Sequence, residues 1–175
     1  MTVQTKVKTK RYLVYALIIL LAHFLQNVVP VFPEIAQVRP LLLIPVAVCI
    51  AMFEGEIVGA AAGLIAGILW DTVTVTADGY IALYLMVAGA VCGVLLRIFL
   101  RNNIVTYFIM CSGIMFFYLV TYVLFFISAR GIDGAGQMFL RYYIPMGLYS
   151  FILTPLWYYL IRTVYRKFSF DYTEY

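Results

Sequence analysis

Charge is scarce in this sequence: 11% of its 175 residues are Asp, Glu, Lys or Arg, against 65% hydrophobic, and the mean hydropathy is +1.00. A water-soluble domain carries about a quarter of its residues as charges, so this composition excludes one. Histidine is nearly absent, with His23 alone, so a zinc site would have to be assembled mostly from carboxylates that lie far apart in the chain. Cysteine is sparse, and Cys49, Cys92 and Cys111 each sit inside an apolar run, where a thiol behaves as a small hydrophobe. They imply neither a disulfide framework nor a metal centre, and no cofactor is expected. Lys and Arg (12) outnumber Asp and Glu (8), for a net charge of +4. The excess lies in short clusters at the ends of apolar runs rather than over a broad face, a pattern that fits a membrane surface and argues against a nucleic-acid partner.

Groups for catalysis are equally thin. Ser112, Ser128 and Ser150 lie in no nucleophile-elbow pattern, and His23 is the only imidazole that would serve as a base. Asp71 and Asp133 would be the carboxylates of an aspartyl dyad, yet both fall at loops. The chain is therefore expected not to be an enzyme.

What the sequence has in abundance is long apolar runs. At about 20 residues per crossing, with allowance for shorter or tilted spans, six segments emerge: 12–29, 40–53, 56–70, 80–100, 104–128 and 142–165. Only Glu54 and Gly55 separate the second from the third, and both are short, so this pair is either two complete spans or a hairpin that crosses incompletely. Backbone amides have no water to bond in hydrocarbon, and the pattern of a barrel, alternating short strands, is missing. The expected fold is thus all-α, a polytopic integral membrane protein of six transmembrane helices, forming a single transmembrane domain over 1–175. The opening MTVQTKVKTKR before the first apolar run has the charge order of a signal peptide but no small-residue cleavage site follows, so it reads as the start of a retained span.

Orientation follows from the Lys/Arg bias. With the N-terminus inside, Lys6, Lys8, Lys10, Arg11, Arg97, Arg101, Arg162, Arg166 and Lys167 are cytoplasmic, and Arg39, Arg130 and Arg141 are outside. Both termini are therefore expected in the cytoplasm, 1–11 as a basic N-terminus and 166–175 as a C-terminal tail. Tyr12, Trp70, Tyr80, Trp157 and Tyr165 stand near segment ends, where interfacial anchors are expected.

The third segment, GEIVGAAAGLIAGILWD, spaces Gly55, Gly59, Gly63 and Gly67 four residues apart, with Asp71 at the next step. Four residues advance a helix by about 400°, so the stripe drifts slowly along the path of a neighbour crossing on the i±4 ridges. Bare backbone on that path lets another helix come close and gain dispersion contact, the main attraction left in lipid. That neighbour is either one of the chain's own helices or a partner's. Gly89 and Gly93 on the fourth segment repeat the spacing once, as a possible complementary surface.

Polar residues inside the apolar runs are few. His23, Gln26, Asn27 and Pro30 fall on one face of the first segment, placed to hydrogen-bond neighbouring helices or, alternatively, to line a small-ligand pocket or take part in a proton step at His23. Asp71 is either a hydrated helix end or a group pairing with Arg39 or loop backbone at the outer mouth of a groove. Glu54 and Glu56 read as solvated turn residues, or as facing a cytoplasmic partner.

The order of these features, Arg39-Pro40, an apolar second helix, a turn at Glu54-Gly55, the Gly59/Gly63/Gly67 ladder, then Leu69-Trp70-Asp71 and a loop to Gly79, resembles the rod shape-determining protein MreD family, most closely over 26–93. Where that family often has an acidic residue after the proline, this chain has Leu41. The resemblance implies a non-enzymatic component of the cell-wall elongation (rod) complex in the bacterial inner (cytoplasmic) membrane, helping to maintain cell shape. Its implied partners are the bitopic protein MreC and, with it, MreB, RodA and a class B penicillin-binding protein, besides membrane lipid. The resemblance also implies a fold similar to the six-helix substrate-binding subunits of energy-coupling-factor transporters. That makes a small-molecule-binding membrane subunit of a transporter the alternative function.

Overall fold

A computed structural model describes residues 3–27, 40–74, 79–98, 102–128, 141–142 and 144–170. Those residues form helices α1 (Val3–Asn27), α2 (Leu43–Glu54), α3 (Glu56–Asp71), α4 (Tyr80–Ile98), α5 (Ile104–Tyr122) and α6 (Ile144–Phe170), and α5 runs on into a π-helical turn, Val123–Ser128. No strand occurs among the described residues. The all-α expectation therefore holds.

By length and composition, three of the six helices are candidates for crossing a membrane, over Tyr80–Ile98, Ile104–Phe125 and Ile144–Phe168. The others fall short for separate reasons. With 12 and 16 residues, α2 and α3 measure about 18 and 24 Å at 1.5 Å per residue, less than the roughly 30 Å of a hydrocarbon layer. Although α1 has 25 residues, its first turns carry Lys6, Lys8, Lys10 and Arg11.

The shortest of the six is also the most enclosed. Every residue of α2 from Leu43 to Met52 is buried, and α1, α3, α4, α5 and α6 all pack against it. A helix that is apolar all round has no face to offer a polar medium, so it becomes the axis of the bundle. At its end Gly55 takes φ 89°, a left-handed value that glycine adopts freely, and the chain reverses directly into α3. The outer surface of the bundle is made of Leu13, Leu17, Phe24, Leu83, Val87, Ile109, Phe116, Ile152 and Leu156, all exposed. In water such a surface would aggregate; in lipid it is the solvated one. Trp70 and Trp157 belong to the buried core instead, so these two pack inside rather than anchor at an interface.

Candidate functional site

The glycines of α3 meet α4. A Cβ built at Gly63 would overlap the Leu85 carbonyl, one at Gly67 the Ala82 backbone, and one at Gly59 both Ala51 and the Gly89 carbonyl. From the other side, a Cβ at Gly89 would strike the Gly59 carbonyl and one at Gly93 the backbone of Glu56. Missing side chains thus bring two backbones into direct contact, as the four-residue spacing requires. Between the two neighbours the sequence allowed, the structure places the chain's own α4 there, so this seam has no room for a partner's helix. Gly55 and Gly79 are different: nothing lies within 4 Å of a Cβ at either, and both have positive φ, 89° and 78°. They serve chain reversal, not packing.

At the end of the bundle holding Asp71, polar side chains serve as helix caps. The first turn of α2 starts inside protein, where its amides have no water. Gln26 Oε1 accepts from Leu42 N at 2.8 Å and Leu43 N at 3.1 Å. Ser150 Oγ accepts from Leu41 N at 2.6 Å and donates to the Met146 carbonyl. Pro40 is buried just before this turn. Next to Gln26, Asn27 Nδ2 lies 3.2 Å from His23 Nδ1 and donates to the His23 carbonyl one turn back, so the two polar residues bond each other on α1. Asp71 Oδ2 accepts from Ala82 N at 3.0 Å, capping the first turn of α4 from the helix before it. Asp71 thus bonds backbone through Oδ2, while its Oδ1 is buried with no hydrogen bond among the described residues. Arg39, Pro30 and Asp133 lie outside the described residues.

The opposite end, where α2 turns into α3, carries ion pairs. Arg11 Nη2 and Glu54 Oε2 stand 2.8 Å apart with side chains only 9% and 5% exposed, and the Tyr15 hydroxyl donates to Glu54 Oε1 at 3.0 Å. The Arg11 guanidinium also lies 5.3 Å from the centre of the Tyr165 ring, tying α1 to α6. Two residues on, Arg97 pairs with Glu56 at 2.6 Å at the surface. Neither turn carboxylate is simply solvated, which corrects the plain reading of the sequence. Burial raises the Glu54 carboxyl above its ordinary value, opposed by Arg11 and the Tyr15 hydroxyl; Glu56 is lowered, first by its own backbone N–H and also by Arg97. A cleft of about 600 Å³ opens beside them, lined by Glu54, Gly55, Glu56, Leu96, Arg97 and Asn102 among others, and Asn102 donates to the Met52 carbonyl at 3.3 Å.

Sequence reading missed the Arg11–Glu54–Tyr15 cluster, the cap from Ser150, and Tyr107, which is fully buried and donates to the Pro45 carbonyl of α2 at 2.9 Å. The available signal was positional: a carboxylate and an arginine falling at the same end of two apolar segments, and a hydroxyl inside a third. No group of three or more His, Cys, Asp or Glu suited to a metal ion occurs among the described residues.

Apolar grooves open on the lipid side between α4 and α5, between α5 and α6, and between α1 and α3. A groove of about 480 Å³ runs between α4 and α5, walled by Leu83, Val87, Val91 and Phe117 and floored by Ala88 and Gly113. A Cβ at Gly113 would meet nothing within 4 Å. Near the Asp71 end the Tyr80 hydroxyl bridges to Thr121 Oγ1 and the Tyr84 hydroxyl to the Ile114 carbonyl, both at 2.6 Å, pinning one end of the groove.

Compared with known proteins, residues 7–168 match the family model described as rod shape-determining protein MreD. No curated protein and no solved structure matches the chain.

Proposed function

The chain belongs to the MreD family of rod shape-determining proteins, and from that premise we propose that it is a non-enzymatic component of a bacterial cell-wall elongation complex that binds MreC within the cytoplasmic membrane. Its role there is to hold MreC, and through it MreB, RodA and a class B penicillin-binding protein, at the site of wall growth. The observation that carries this reading is the employment of the buried polar groups. Gln26 and Ser150 cap α2, and Asp71 caps α4 through Oδ2, so most of the polar atoms that chemistry or a polar ligand would need are bound to backbone, Asp71 Oδ1 being a buried exception among the described residues, while wide apolar faces stay open to lipid. The same observation weighs against the small-molecule-binding transporter subunit that a fold like that of energy-coupling-factor subunits would suggest.

A bitopic partner offers one transmembrane helix. The α3–α4 seam is closed to it, and the α4–α5 groove, larger than the α5–α6 and α1–α3 grooves and with bare backbone at Gly113, is the surface on which we place its small-residue packing. Both termini are taken as cytoplasmic, on the basic bias of the turn end.

Co-purification in mild detergent tests the reading. MreC should be retained by the wild-type chain and lost from Gly113→Leu, which fills the groove, with the thermal stability of the variant not lowered. A wild-type chain that never retains MreC would overturn the proposed function; full retention by Gly113→Leu would remove the groove from it.

A further inference from the structure

The two helices that reach furthest past the turn end are both basic. Arg11 of α1 lies level with the turn through its contact with Glu54, and Tyr165 of α6 lies at the same level, 5.1 Å from the ring of Phe53 and 5.3 Å from Arg11. Helix continues beyond that level for residues 3–10 of α1 and 166–170 of α6, about 12 and 8 Å at 1.5 Å per residue. Those projections bear Lys8, Lys10, Arg166 and Lys167, all exposed, with Arg162 exposed one turn below.

Charge at this end is unbalanced, and the structure shows why it stays so. The apolar segments divide the chain's charges into nine cations against Glu54, Glu56, Asp171 and Glu174 here, and three cations against Glu34, Asp71, Asp78 and Asp133 at the other end. Glu54 and Glu56 are each already held by an arginine, so neither is free to neutralise the projecting lysines. The tail with Asp171 and Glu174 lies outside the described residues. The first turn of α1 contains no acidic residue to set against its helix dipole.

We propose that the projecting ends of α1 and α6 form a surface that binds anionic phospholipid headgroups. Basic clusters directly beside a membrane span are attracted to negative lipid over about a Debye length, and here two adjacent helices present one cluster just past the apolar part of the bundle. The surface is separate from the MreC groove, which lies on α4 and α5.

The test uses the full chain in detergent, titrated with phosphatidylglycerol or phosphatidylcholine and read by native mass spectrometry of retained lipid. Phosphatidylglycerol should be retained preferentially, and the preference should fall with added salt. The variant Lys8→Gln/Lys10→Gln/Arg166→Gln/Lys167→Gln should lose most of it, at least tenfold in the retained ratio, with unchanged melting temperature and unchanged MreC retention. Asp171→Asn/Glu174→Gln should raise it. Equal retention of both lipids by the wild type, or an undiminished preference in the quadruple variant, would overturn the proposal. So would capture of a polyglutamate peptide in the absence of any lipid preference, which would make the surface one for an acidic protein.

Discussion

Gln26 reaches from α1 to two amides of α2, and this one side chain supplies what a helix start needs when it lies in protein at membrane depth. Replacing it with Met keeps the bulk and removes the acceptor. Each N–H left buried and unpaired costs about 1 to 3 kcal/mol, so Gln26→Met should lower the melting temperature in detergent clearly; an unshifted melting curve would show that the cap is dispensable. The Arg11–Glu54 pair behaves differently because both members are charged and nearly enclosed. Removing one partner strands the other, a loss of roughly 3 to 5 kcal/mol in buried pairs, whereas removing both is often far milder. Glu54→Leu should therefore destabilise more than Arg11→Met/Glu54→Leu, and thermal denaturation of the two variants decides the order. At this scale the sequence was partly legible: it marked Gln26, Asn27, His23 and Asp71 as polar groups among apolar ones, but whether each would meet backbone, solvent or a ligand depends on which helix lies opposite, and no local pattern carries that.

The same limit appears among the helices. Spacing of Gly59, Gly63 and Gly67 announced a close approach, and the approach exists, but the four-residue period is identical for an internal and an external neighbour. Gly55 shared the period without sharing the role, since its φ of 89° sets the α2–α3 reversal. Two conservative substitutions separate these uses of glycine. Gly63→Ala sets a methyl against the Leu85 carbonyl, an overlap relieved only by parting α3 from α4, at a typical cost of about 1 to 3 kcal/mol. Gly113→Ala faces open space and gains helix propensity of up to about 1 kcal/mol. Melting temperatures should move in opposite directions; a parallel shift would contradict the assignment of the seam. Bounds of α2 through α5 were close to those expected because apolar runs end where charge or glycine begins. The ends of α1 and α6 were not, because a helix satisfies its own backbone and continues past the apolar run with its lysines in water.

Across the molecule, a short helix enclosed by five others and a strong division of charge between the ends define how the bundle sits in a bilayer. If the basic end is cytoplasmic, a cysteine placed at Thr5 or Thr173 should stay unlabelled by an impermeant reagent in intact cells and react once the membrane is opened. Labelling in intact cells would invert the topology and move the basic surface to the outside. Composition and periodicity made the membrane and the all-α class legible, and the order of short motifs from Arg39-Pro40 to Gly79 resembled the family; the number of full spans is not legible there, because α2 and α3 are apolar yet short. The central claim is that this bundle acts by holding MreC against its lipid-facing side. Photo-crosslinking from Leu83, Val87 and Phe117 on the α4–α5 groove, with Leu13 and Leu17 on α1 as the opposing face, measures it most directly: adducts with the MreC span should form from the first three and not from the last two, whereas a complex that co-purifies with no adduct from any membrane position would contradict the account.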